Sequence, residues 1–119
     1  MAAFRVLLVA IFVAIAVYTA IVAANHGLGL LEVFFRDIAA MGWPGQFNLD
    51  FMCFLALSAL WLAWRHEFSA AGIALGIVGF FGGALFLSLY LLVVSLSVRG
   101  DVNALLLGTG RAQTLGGAR

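Results

Sequence analysis

The sequence predicts an all-α integral membrane protein with three transmembrane helices and one short interfacial amphipathic helix. Two observations carry that class. Hydrophobic residues make up 66% of the 119-residue chain and charged residues only 9%, against about 45–50% and 25% in soluble domains. The apolar residues gather into three runs, 4–24, 51–64 and 71–98, whose interiors hold no Asp, Glu, Lys, Arg or His. About 20 apolar residues cross the roughly 30 Å hydrocarbon core of a bilayer. The expected organisation is one transmembrane domain over residues 1–108, with spans at about 3–24, 48–65 and 70–98.

The first span ends at Asn25-His26-Gly27, where glycine can take the left-handed conformation that closes a helix. Arg5, the apolar run and the small residues Val22-Ala23-Ala24 also fit a cleavable signal peptide. The run exceeds the usual apolar region of about 7–15 residues, so an uncleaved signal anchor is expected. Ala16, Ala20 and Ala23 line one face of this helix, and Tyr18 and Thr19 are its polar members.

In the connection that follows, Leu30, Leu31, Phe34, Ile38 and Met41 recur at helical spacing. Glu32, Arg36 and Asp37 take the other side, with Glu32 one turn before Arg36 in the favourable order. The stretch 30–41 is too short and too charged to span, and so reads as the interfacial helix. Gly42 stops it, and Trp43-Pro44-Gly45 reads as a turn with Trp43 at headgroup level.

Asn48 or Asp50 can cap the second span, which leaves the membrane at Trp61, Trp64 and Arg65. Ala56, Ala59 and Ala63 form a small-residue stripe along it. The tight loop at 65–69 makes the second and third spans antiparallel neighbours.

The third span carries the clearest packing code, with Gly72, Gly76, Gly79 and Gly83 on one narrow face that Tyr90 continues. In lipid, helix association relies on close backbone approach, which glycine permits. The face suits packing on the alanine stripes of this chain, or on a second copy or a larger membrane partner. A straight helix of about 29 residues is roughly 43 Å long and must tilt or protrude. It would carry the tail to the side opposite the 65–69 loop. Asp101 can cap a short helical turn at 102–107 that Gly108 stops, and the composition of 109–119 leads to an expectation of disorder.

Several functions are poorly served by these residues. A net charge of +1 without a clustered basic stripe does not suit nucleic acid. No ionisable group lies in the apolar interior of a span, where proton-coupled transport normally places one. Asp50 comes closest and reads as a helix cap, and no matched half-helices are expected. His26 and His66 follow different spans on opposite faces, about 30 Å apart, too far to share a metal or haem. Cys53 reads as a small core or lipid-facing thiol. No cofactor or metal is expected, and no nucleophile elbow, phosphate loop or zinc spacing is present. The one place for acid and cation to meet is a polar interfacial cluster of Glu32, Arg36, Asp37 and Asp50. A solvated helix face plus a cap gives the same residues. Arginines near the span ends divide almost evenly between the two sides, and the acidic connection tilts the balance toward an inside N-terminus.

The segments 30–37 and 42–51, with their aromatic–Asn–Leu–Asp–aromatic sequence, and Ala-Leu-Trp-Leu-Ala-Trp-Arg at 59–65, carry one resemblance. Over about residues 30–98 the chain resembles small uncharacterised bacterial membrane proteins of the domain-of-unknown-function kind. The resemblance implies a multi-pass location in the bacterial inner membrane and transfers no functional residue. The expected function is therefore a non-enzymatic accessory, assembly or structural role in the lipid bilayer. An oligomeric small transporter or channel, its pore lined by Thr19, Ser58, Ser88 or Ser95, is the first alternative. An interfacial lipid-modifying enzyme is the second.

Overall fold

Six helices build the chain over residues 1–117, the residues described by a computed structural model: α1 (Ala2–His26), α2 (Leu30–Ala39), α3 (Trp43–Arg65), α4 (Ala70–Ser97), α5 (Val102–Leu107) and α6 (Thr109–Gly117). Among them α1, α3 and α4 are long and apolar enough to cross a membrane, so the protein is an all-α membrane-spanning chain.

α4 is not a straight rod. Gly83 interrupts its helical ladder with φ 58° and ψ −144°, a conformation open to glycine and closed to residues with a Cβ. Two limbs result, 70–82 and 84–97, each about 20 Å long. Gly72 in the first limb packs against His66, and Tyr90 in the second hydrogen-bonds to the same histidine at 2.6 Å. In a straight helix Gly72 and Tyr90 would lie about 27 Å apart. The limbs therefore fold into a hairpin, with Gly79 and Gly82 against Phe86, and with Gly83 at its tip facing Phe51 and Leu55. This corrects the expectation of a straight, tilted rod.

The glycine face is used within the chain. A Cβ on Gly76 would stand 2.9 Å from the Ala59 carbonyl oxygen, and one on Gly72 would stand 2.6 Å from His66 Cβ. Gly79 lies against Leu62, which is fully buried. Absent side chains thus let the first limb press onto the α3 alanine stripe.

α1 packs against α4. Its covered face runs through Phe4, Arg5, Leu8, Ile11, Phe12 and Ala16. Arg5 Nε donates to Ser95 Oγ at 3.1 Å and Arg5 Nη2 to the Ser95 carbonyl at 2.9 Å. Met1 lies beside Gly100, so the N-terminus and the start of the tail share one end of the molecule.

At the other end α2 packs along the first turns of α3. Gly45 presses on the Asp37 backbone, and Asn48 Nδ2 donates to the Phe34 carbonyl at 3.2 Å. α3 starts at Trp43 rather than near Asn48, with extended Gly42 as its N-cap and Pro44 in its first turn. Proline needs no partner for a missing N–H there, so the apparent turn is a helix start. Asn48 and Asp50 consequently lie inside the helix and cap nothing.

α5 forms as expected, with Asp101 accepting from the Asn103 and Ala104 amides at 3.1 and 3.4 Å. The expected disorder beyond Gly108 gives way to α6. Arg111 supplies the reason, stacking 4.1 Å above the Trp64 ring and donating to the Trp64 carbonyl. Ala118 and Arg119, the end of that expected disordered tail, lie outside the described residues.

Candidate functional site

A dense polar cluster forms where α3 ends, at the end of the molecule shared by the N-terminus and the α5–α6 tail. Arg65 is the last residue of α3, where a cation complements the helix dipole. It is only 8% exposed. Its Nε donates to the Leu105 carbonyl at 2.7 Å and its Nη2 to the Ala104 carbonyl at 3.0 Å. Both belong to the last turn of α5: the Ala104 oxygen also accepts from the Gly108 amide at 3.0 Å, whereas the Leu105 carbonyl is one of the orphans of the helix end. Trp61 Nε1 takes the next one, Leu106, at 3.1 Å. Gly108, at φ 87°, permits this approach, since a Cβ there would lie 2.7 Å from the Arg65 carbonyl oxygen.

Arg65 Nη1 donates to the Tyr90 hydroxyl at 3.1 Å and lies 3.4 Å from His66 Nε2. Tyr90 Oη is 2.6 Å from His66 Nε2. Arginine can only donate, so Tyr90 accepts from it; the network uses the Tyr90 proton as well when the hydroxyl donates to Nε2, and we assign the imidazole proton to Nδ1 on that ground. Burial first, and the neighbouring guanidinium second, hold the His66 pKa below its ordinary 6.5. The Tyr90 ring stacks on Phe86 and meets Trp61 edge-on, with centroids 6.0 and 6.1 Å away. Together these groups clamp α3, the second limb of α4 and the tail.

Neither protein-family models nor curated proteins nor solved structures match this chain. The clamp's own geometry therefore has to carry any reading of it.

The residues singled out in the sequence fall elsewhere. Gly72, Gly76 and Gly79 are buried packing positions, and Gly83 is the break. The polar interfacial cluster does not converge. Glu32 and Arg36 are exposed and Asp37 half-exposed on α2. Asp50 lies two residues past Asn48, about 200° round α3 from the side that meets α2. Cys53 is exposed.

His66 is bonded to Tyr90 rather than simply solvated. Arg65 and Tyr90 went unrecognised as partners because a straight α4 holds them apart. The available signal was the Gly82-Gly83 pair midway along a helix too long for the membrane.

Proposed function

We propose that this chain is a non-enzymatic accessory or assembly protein of the bacterial inner membrane, recruited to a partner through α1. Tyr18 carries the reading. It is 72% exposed, roughly 20 Å along the helix from Arg5 and hence at hydrocarbon depth. A hydroxyl in hydrocarbon without a partner is costly, and a helix of another membrane protein would supply one. Val13, Val17 and Ile21 beside it are also uncovered by the chain's own helices.

The bacterial setting rests on the resemblance of residues 30–98. The arginines support an orientation: Arg5, Arg65, Arg99 and Arg111 lie at the end that holds the N-terminus and the α5–α6 tail. Arg36 lies at the other end with Glu32, Asp37 and Asp50. By the positive-inside rule the N-terminus and the tail face the cytoplasm.

The test is cysteine cross-linking in native membranes, with single cysteines at positions 17 and 21 on a Cys53→Ser background. Cross-linked products sensitive to Tyr18→Phe are expected. Monomer alone in every case overturns the reading. The break at Gly83 favours a second reading, a transporter, because interrupted helices line many substrate sites. That reading predicts solute flux in proteoliposomes, but the hairpin tip is faced by apolar Phe51 and Leu55.

A further inference from the structure

A cavity of about 230 Å³ opens beside the clamp, where the tail crosses the end of α3. Arg65, His66, Glu67, Thr109, Gly110 and Arg111 contribute to its wall. The lining thus sets two arginines and a histidine against one glutamate. The hydrogen-bond acceptors of Arg65 are two carbonyls and the Tyr90 hydroxyl, with His66 Nε2 3.4 Å from Nη1. Those groups engage Nε, Nη1 and Nη2, but among the described residues none of them is an acid that would balance the charge, although Arg65 is only 8% exposed. Charges buried to this degree are ordinarily paired. Arg111 holds the Trp64 carbonyl through Nη1, and its other guanidinium donors have no partner among the described residues.

We propose that this cavity binds a phosphate group, either the headgroup phosphate of an anionic phospholipid or a free phosphate ester. Three features select that chemistry. Guanidinium forks match the oxygens of phosphate. The Thr109 hydroxyl adds a neutral donor in the same wall. Trp61 and Trp64 lie on the same turn of α3 as Arg65, and tryptophans at a span end sit at headgroup depth. Glu67 opposes an anion, so the site discriminates by the arginine donors and not by gross positive charge.

The experiment follows thermal unfolding of the full chain in neutral detergent. The probes are phosphatidylglycerol, phosphatidylcholine and inorganic phosphate, and the variants are Arg111→Gln, Glu67→Gln and Arg99→Gln. Phosphatidylglycerol should raise the melting temperature where phosphatidylcholine does not. Its apparent affinity should fall about tenfold in Arg111→Gln, the loss of one charge-assisted contact. It should hold in Arg99→Gln, whose charge lies outside the cavity wall, and rise in Glu67→Gln. That last gain cannot come from a folding defect. A response to inorganic phosphate as strong as to phosphatidylglycerol supports the site and assigns it to a free phosphate ester. No response to either probe overturns the proposal, as does an equal loss in Arg99→Gln or no gain in Glu67→Gln.

Discussion

The hydroxyl of Tyr90 lies 2.6 Å from Nε2 of His66, although the two residues are 24 positions apart and belong to opposite sides of a helix break. This contact closes the α4 hairpin at its open end. It also orients the imidazole against Arg65, whose other donors hold the tail. One hydroxyl therefore links the hairpin to the helix and the loop that position the tail.

Replacing Tyr90 by Phe keeps the ring beside Trp61 and Phe86 and removes only the hydroxyl. His66 Nε2 and one Arg65 donor then lose their partner inside a half-buried cluster. The expected loss is about 1–3 kcal/mol, the cost of stranding a polar group. Chemical unfolding in mixed micelles reads it directly. Tyr90→Leu should cost more, because edge-to-face aromatic pairs add about 0.5–1.5 kcal/mol each.

Gly83→Ala tests the break itself. Alanine at φ 58° and ψ −144° is strained by about 1–3 kcal/mol. The variant should unfold earlier in the same assay. Gly82→Ala should destabilise as well, for a different reason: a Cβ there would stand 2.5 Å from Phe86 Cβ, which is fixed to the facing backbone. A stabilised Gly83→Ala would mean that α4 prefers to be straight.

Much of the fold is legible because its signals are local. The apolar runs define the spans, the 3.6-residue spacing of Leu30, Leu31, Phe34 and Ile38 defines α2, and Asp101 with Gly108 brackets α5. What is not legible depends on contacts distant in sequence. Glycine serves equally as a surface that lets helices touch and as a hinge. The regular spacing of Gly72, Gly76, Gly79 and Gly83 therefore concealed that three of them pack while the fourth turns the chain. Once α4 is taken as straight, Arg65 and Tyr90 cannot meet and the clamp disappears from view. α6 escapes notice for a related reason, since its composition favours disorder until Arg111 finds Trp64.

The hairpin also places the termini. Met1 beside Gly100, and Arg65 bonded to Leu105, put the N-terminus, the 65–69 loop and the tail at one end. Reporter fusions to the two termini should report the same membrane side. A straight α4 predicts opposite sides, so one pair of fusions decides between them.

His66 should make stability depend on pH in a stated direction. Its pKa in the fold lies below 6.5, chiefly through burial and secondarily through Arg65. Above pH 6.5 the imidazole is neutral in both folded and unfolded chains, and the Tyr90–His66 bond contributes fully. As pH falls below 6.5 the unfolded chain takes up a proton that the folded chain still refuses, so stability declines. The decline continues until the lowered folded value is passed, where the folded imidazole also charges beside Arg65 and can no longer accept from Tyr90. Melting temperatures between pH 5.5 and 8 should therefore rise with pH and level off above about 7. His66→Gln, which offers an amide at the Nε2 position but does not titrate, should flatten the curve. An unchanged slope in that variant would assign the dependence to some other group and remove His66 from the clamp's energetics.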